Sequence, residues 1–241
     1  MPHSFGEIRT AFNELRRKNT ACQKSKHRYR VDRIWTDIYF SDTRHYKWQT
    51  EIEEFARHVQ SLGKHALFLD VCGNTSASRM GFDHSFQASM SCDGSVINRD
   101  TTFYRVDIFA HPGLKPIIEN ITQEHGQLTL TTFRPLAGLQ TYMTLGQSKA
   151  YKMLICRCLF RQLELIVNAT RVGGYIHLER PFQMDESTSE FINKTPVRKQ
   201  LNHVTLKSWA RKLHCSIRLH HDSFGPKWLL RKDYKYLGPI L

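Results

Sequence analysis

Long apolar runs and secretion signals are missing from this 241-residue sequence. Because no stretch of about 18 consecutive apolar residues occurs, no membrane-spanning helix is expected. Residues 1–7 contain neither the basic nor the apolar region of a signal peptide, so secretion is not expected.

Paired cysteines and metal-binding spacings are also absent. The 6 cysteines are scattered without a CxxC pair, which favours free, mostly buried thiols in a reducing compartment, the cytoplasm or the nucleus. The 13 histidines include no HxxxH or HExxH spacing. The adjacent His220 and His221 would point to opposite faces of a strand. We therefore expect no metal site.

Acidic residues are scarce at both ends of the sequence. The formal net charge is +13 and the pI is near 9.6. Residues 1–33 contain 9 Lys or Arg and 3 acids, whereas residues 194–241 contain 11 Lys or Arg and 2 acids. A merely solubilising surface usually mixes both signs. The clustering therefore favours a polyanionic partner, nucleic acid above all.

The stretch from Ala66 to Asn74 has the pattern of a buried strand that ends at a tight turn. Apolar residues lead into Asp70, and Gly73 allows the backbone to turn sharply and to approach a ligand. In open α/β sheets, ligands bind outside the carboxyl ends of the strands. The alternative is an ordinary buried strand whose Asp70 caps the next turn.

Hydrophobic periodicity predicts alternating helices and strands along the rest of the sequence. One helix begins at a capping box, Thr50 with Glu53, and stops at Gly63. Residues 171–174 are predicted to form the turn after the longest helix. The predicted helices span 8–15, 50–62, 147–167 and 205–213, and the predicted strands lie within 66–74 and at 86–90, 102–108, 127–133, 175–180, 215–219 and 227–231.

This alternation predicts an α/β fold with a mostly parallel sheet, helices on both faces and a closing antiparallel pair of strands. Residues 1–35 are predicted to form a basic N-terminal extension with a short helix. Residues 36–241 are predicted to form one domain.

The order of these elements resembles the FtsJ-like family of RNA ribose 2'-O-methyltransferases, which includes cap-modifying enzymes. The resemblance rests on Leu-Asp-Val-Cys-Gly at 69–73, an acid-ended strand, and a long helix leading to Gly173-Gly174 and a strand. It covers roughly residues 35 to 235 and is strongest at 68–73 and 154–182. It implies a Rossmann-like methyltransferase fold.

The resemblance also implies a site for S-adenosylmethionine. Asp70 and Gly73 match the family's cofactor turn, Asp107 matches the acid that contacts the adenine, and Asp93 would lie near the ribose. Asn74 and the four residues after it stand where the family has further glycines and often a proline. Larger residues at a turn that hugs a cofactor weaken the expectation of binding.

The family's catalytic Lys-Asp-Lys-Glu tetrad falls on Lys47, Thr132, Glu179 and Lys227 in this sequence. Lysine and glutamate have therefore exchanged places, and the aspartate is gone. Either Glu179 and Lys227 form a reversed ion pair, or this register is off by one or two residues. No lysine occurs between Met153 and Lys194, so a shift restores no lysine on that strand.

The leading hypothesis is an RNA-binding FtsJ-like domain whose methyl transfer is impaired or lost, acting in RNA capping or processing. The alternatives are an active S-adenosylmethionine-dependent RNA 2'-O-methyltransferase and a protein-interaction module of a larger complex. The candidate RNA-binding residues are Arg16, Arg17, Lys18, Lys24, Lys26, Arg28, Arg30, Lys207, Arg211 and Lys212.

Overall fold

The structure is a computed structural model that describes residues 46–72, 81–89, 101–133, 149–179, 203–222 and 225–234. The four helices of these ranges are α1 (Tyr46–Ser61), α2 (Lys115–Glu124), α3 (Lys149–Ala169) and α4 (His203–Lys212). The seven strands are β1 (Leu67–Val71), β2 (His84–Ser89), β3 (Thr101–Arg105), β4 (Leu128–Phe133), β5 (Thr170–Glu179), β6 (Cys215–Asp222) and β7 (Gly225–Lys232). The predicted extension at 1–35 and its helix at 8–15 lie outside these ranges.

The strands form one sheet in the order β3-β2-β1-β4-β5-β7-β6. Strands β1 to β5 pair in parallel, and β7 runs antiparallel to both of its neighbours, β5 and β6. This is the Rossmann-like arrangement of S-adenosylmethionine-dependent methyltransferases, so the predicted fold class is confirmed. The predicted closing pair of strands is β6 with β7.

Both faces of the sheet are covered by helices. Phe68 packs with Ile52 of α1, whereas its neighbours Leu67 and Leu69 belong to the larger cluster with Leu163 of α3. Successive residues of a strand point to opposite faces. Helix α1 therefore covers one face, and α3 covers the other.

The predicted start of α1 is wrong, although its predicted end is confirmed. The helix begins at Tyr46, so Thr50 lies inside it rather than at its N-cap, and Lys47 lies in its first turn. Trp48 precedes Ile52 by four residues, so the apolar spacing continues upstream of the capping-box sequence. Gly63 ends the helix with a φ of 67°, which glycine adopts at little cost.

Helix α2 and the end of β3 also differ from the prediction. Helix α2, which was not predicted, buries Ile117, Ile118 and Ile121, and a proline stands in its first turn. Strand β3 ends at Arg105 instead of residue 108, because a turn begins at Asp107. The Asp107 carbonyl accepts a hydrogen bond from the Ala110 N–H at 3.1 Å. Helix α2 is hard to predict from the sequence because it is short and buries only three apolar residues.

The predicted turn at 171–174 is instead an irregular stretch inside β5. The pairing of β4 with β5 shifts register between Leu128 and Leu130. Gly173 has a φ of 83°, and a Cβ there would come within 2.7 Å of the Phe55 ring. A Cβ on Gly174 would come within 2.9 Å of the Arg171 carbonyl oxygen. The double glycine therefore lets a bulged strand pass close beneath α1.

Two of the described cysteines lie on α3 and β6. Cys158 and Cys215 are free thiols. Burial raises the pKa of Cys215 to about 12, so this thiol stays protonated at neutral pH.

Within the described ranges, no helix is both long and apolar enough to cross a membrane.

Three histidine rings lie close together at the amino edge of the sheet, the edge where the parallel strands begin. The ring centroids of His65 and His84 are 5.1 Å apart, and those of His84 and His125 are 4.7 Å apart. Burial and the charges of His125 and His65 lower the pKa of His84, against an opposing effect of Asp83. Glu124 lies 3.6 Å from the His125 ring. Protonation of His84 is therefore disfavoured in the folded chain.

We expect the folded state to lose stability at His84 as the pH falls through about 6.5, because the unfolded chain takes up that proton first. Since the rings are partly solvated, the loss should stay below about 1 kcal/mol. Urea unfolding at pH 7.5 and pH 5.5 would show a smaller pH dependence for His84→Gln than for wild type. The exposed His58→Gln is the control, and an identical dependence in both variants would contradict the prediction.

Candidate functional site

The carboxyl edge between β1 and β4 is the topological switch point of the sheet. From β1 the chain proceeds outward to β2 and β3, then returns to β4 on the other side of β1 and continues to β5. Loops that leave these strands in opposite directions open a crevice, where ligands of such folds bind. Asp70 and Thr132 are direct partners on β1 and β4 at this point.

A row of four polar residues crosses the sheet beneath this crevice. The backbone register aligns Gln87, Asp70, Thr132 and His177 on β2, β1, β4 and β5. Their exposed fractions are 5%, 0%, 4% and 3%, respectively. They lie on the α1 face, since each stands two residues after a position aligned with Phe68. The crevice is therefore floored by polar groups rather than by apolar core.

Asp70 and Thr132 are joined by a short hydrogen bond. The Thr132 hydroxyl donates to Asp70 Oδ1 at 2.5 Å. Position 132, where the resemblance places the tetrad's aspartate, thus holds an uncharged hydroxyl that contacts Asp70. The Asp70 carboxylate is fully buried, so it supports the floor of the crevice from within the sheet. Whether it serves a cofactor remains a prediction.

Beyond β1, the backbone turns away from the sheet. Cys72 has a φ of 61°, which is uncommon for a residue other than glycine, while its N–H still donates to the Ala88 carbonyl at 2.8 Å. The strand therefore ends at Val71, and Cys72 begins the turn just before the predicted cofactor residues. Gly73, Asn74 and Asp93 lie outside the described residues.

Asp107 follows β3 at the same carboxyl edge. Its side chain is 9% exposed, and its Oδ1 accepts a hydrogen bond from the Phe109 N–H at 3.0 Å. Burial and, to a smaller extent, Asp107 raise the pKa of Cys158 on α3. Asp107 therefore belongs to the crevice edge but lies on its α3 side. Its contact with an adenine stays a prediction.

The positions of Glu179 and Lys227 are directly opposite each other on β5 and β7. His220 on β6 is the next partner of Lys227 in the same row. Since opposite residues of antiparallel strands share a face, these positions lie on the α1 face, one step beyond the polar row towards the carboxyl edge.

An ion pair holds α1 above these strands. Arg218 Nη1 on β6 donates to both carboxylate oxygens of Glu51, at 2.8 and 2.9 Å, and this bond raises the pKa of Arg218. Phe55, one turn later, packs edge-on against Tyr175 nearer the amino edge. Lys47 precedes Glu51 by one turn, about 5.4 Å. Its backbone therefore lies towards the carboxyl edge, where Glu179 and Lys227 also lie.

The predicted RNA-binding residues divide into two groups. Lys207, Arg211 and Lys212 are exposed on α4. Helix α4 ends just before β6, and β6 begins at the amino edge. The last turn of α4 therefore lies at the amino edge, which is the edge of the sheet away from the crevice. The residues predicted in the basic N-terminal stretch, Arg16, Arg17, Lys18, Lys24, Lys26, Arg28 and Arg30, lie outside the described ranges.

Gln87 and His177 are the site residues that the sequence prediction missed. Each is a polar residue inside a predicted strand, and that is the signal that marks them. Their alignment with Asp70 becomes visible only once the strand order is known. Within the described part of the chain, no group of three or more His, Cys, Asp or Glu side chains could hold a metal ion.

No protein-family model and no curated protein sequence matches this sequence. Among solved structures, an O-methyltransferase family protein from Burkholderia thailandensis has a TM-score of 0.43 and 8% identity, over 86% of this chain and 61% of that protein. The O-methyltransferase from Bacillus cereus in complex with SAH has a TM-score of 0.42 and 12% identity, over 96% and 93%. The N-methyltransferase NodS from Bradyrhizobium japonicum has a TM-score of 0.41 and 9% identity, over 80% and 99%.

This chain thus spans about three fifths of the Burkholderia protein. Likenesses at these TM-scores identify neither a reaction nor a substrate. The strand order and the single reversed strand define the fold of the chain as the methyltransferase type.

Proposed function

We propose that the chain is an RNA-binding, FtsJ-like methyltransferase-fold domain that has lost most or all of its methyl-transfer activity and serves RNA capping or processing. The direct pairing of positions 179 and 227 at the carboxyl edge carries this proposal. Because the two positions are direct partners, the pairing supports the interpretation that glutamate and lysine have exchanged places in the tetrad. It argues against a misalignment of the sequence with the family's tetrad.

The chemistry explains the expected loss of activity. Removing the proton of a ribose 2'-hydroxyl requires a base whose pKa is tuned towards neutrality. In the family, neighbouring charges hold down the pKa of the central lysine. Position 179 offers a carboxylate instead, and position 227 directly opposite it on β7 carries the lysine. Thr132 has no charge with which to tune either group.

The described edge is compatible with S-adenosylmethionine as a ligand. A polar floor at the switch point and a strand that ends in a left-handed residue allow a nucleoside to approach the backbone. We propose that Asp70, Gly73, Asn74, Asp93 and Asp107 hold the cofactor, which would supply the methyl group. Asn74 in place of a glycine makes this binding weak.

Methyl transfer to a capped RNA tests the proposal. We expect wild type to transfer no methyl group above a protein-free control. Exchanging two tetrad positions, with Glu179→Lys and Lys227→Glu, should give measurable transfer, because these changes restore the lysine and its glutamate partner and leave the Thr132–Asp70 hydrogen bond intact. Single-turnover assays with radiolabelled S-adenosylmethionine would measure both, and calorimetry would establish whether each protein binds the cofactor.

Robust transfer by wild type that Glu179→Ala abolishes would overturn the proposal in favour of an active 2'-O-methyltransferase. Absence of both cofactor binding and RNA binding would favour the protein-interaction module instead. RNA binding itself should weaken steeply between low and moderate salt, because bound cations release counterions from the phosphates.

A further inference from the structure

Tyr234 is an aromatic side chain that the fold leaves in solvent. It follows β7 at the amino edge, and 70% of it is exposed. Among the described residues, only Leu62 and Val172 are other large apolar side chains with such exposure. An exposed aromatic ring offers a face on which a base can stack, so this ring is a candidate contact for a nucleic acid.

Two exposed cations closely precede the histidine that contacts this ring. Arg211 and Lys212, in the last turn of α4, are exposed, and so is His214. The His214 ring stands at 87° to the Tyr234 ring with 6.4 Å between centroids. We call Arg211, Lys212, His214 and Tyr234 the amino-edge patch.

The backbone holds the two segments of the patch together. The Asp233 N–H donates to the His214 carbonyl at 2.9 Å, which extends the pairing of β6 with β7. His214 itself has a φ of 57°, where the chain turns from α4 into β6. Asp233 is the neighbouring acid, and its Oδ1 accepts a hydrogen bond from the Ser216 hydroxyl at 3.2 Å. The patch is therefore built on paired strands rather than on a free loop.

The patch lies far from the crevice. Tyr234 follows Lys227 by seven residues along β7 and its end, which is roughly 20 Å at the rise of a strand. A ligand at the patch therefore contacts the edge of the sheet opposite the candidate cofactor site.

We propose that the amino-edge patch binds single-stranded RNA, with a base stacked on Tyr234 and the phosphates on Arg211 and Lys212. An exposed ring beside cations is the combination with which proteins hold single strands, because every base offers a face for stacking. The proposal rests on the RNA binding proposed above and assigns it a place outside the crevice.

Fluorescence anisotropy with a labelled ten-nucleotide oligouridine, over a series of NaCl concentrations, tests this site. Tyr234→Ala should weaken binding about tenfold and leave the salt dependence unchanged, because stacking releases no counterion. Tyr234→Phe, which keeps the ring, should bind like wild type. Arg211→Gln with Lys212→Gln should reduce the slope of log K against log salt by about 1.4, since two phosphate contacts are lost.

A matched control removes two exposed cations elsewhere, with Arg57→Gln and Lys115→Gln, and should leave the slope near that of wild type. If wild type binds steeply but the patch variants match this control, the patch is not the site, although the proposed RNA binding stands. If wild type does not bind the oligonucleotide at all, the patch and the proposed RNA binding both fail. Thermal melts of each variant would confirm that it is folded.

Discussion

Replacing Lys232 with methionine is expected to lower the free energy of unfolding by about 3–5 kcal/mol. Lys232 is only 2% exposed. Its ammonium group donates to the carbonyl oxygens of Val167 at 2.7 Å, Asn168 at 3.1 Å and Thr170 at 2.6 Å. The carbonyls of Val167 and Asn168 belong to the last turn of α3, where the helix leaves acceptors unpaired and the helix dipole is negative, and Thr170 begins β5. Methionine would fill the space but leave buried carbonyl groups without a donor.

Urea unfolding followed by tryptophan fluorescence would measure this loss, and the melting temperature should fall by roughly 10 °C. The neighbouring Arg231 is exposed, so Arg231→Met is the matched control and should change stability by less than about 0.5 kcal/mol. Equal stability of Lys232→Met and wild type would show that the end of α3 does not depend on this ammonium group.

Removing the Thr132 hydroxyl should destabilise the fold by about 2–3 kcal/mol, because Asp70 would lose a donor while fully buried. The experiment is a double-mutant cycle with Thr132→Val, Asp70→Asn and both together. We expect a coupling energy of about 1.5 kcal/mol or more, since the bond involves a carboxylate. Chemical denaturation of the four proteins gives this energy directly.

Thr131 provides the matched control for Thr132. It is the next residue of β4 and is also fully buried, but its hydroxyl has no hydrogen-bond partner among the described residues. Thr131→Val should therefore be neutral or stabilising, because an unpaired polar group is replaced by a methyl group. If Thr131→Val and Thr132→Val destabilise equally, the cost arises from packing, and the Asp70 bond contributes little.

Local periodicity was sufficient to predict most elements, because each strand and each long helix carries its own apolar pattern. The strand at 127–133 and the helix at 147–167 differ from β4 and α3 by at most two residues at either end. Element starts were less predictable. The first turn of α1 continues upstream of a capping-box sequence, and the double glycine permits a bulge as readily as a turn.

The candidate site depends on lateral alignment, which no single segment contains. The polar row exists because β4 returns beside β1, and the pairing of 179 with 227 exists because β7 inserts between β5 and β6. Lys232 is also one of the 11 Lys or Arg residues in 194–241 that suggest a basic surface, although the fold buries its side chain. Only tertiary structure separates such a lysine from the exposed Lys212.

The reversed strand has a consequence for biosynthesis. During translation, β5 can pair with β4 as soon as both strands have been synthesised. Its other edge pairs with β7, which is synthesised some fifty residues later. Until residues 225–232 leave the ribosome, the segment from Tyr175 to Leu178, which is apolar except for His177, has an unpaired strand edge exposed to other nascent chains. Completion of this protein is therefore expected to be a late event that benefits from a chaperone.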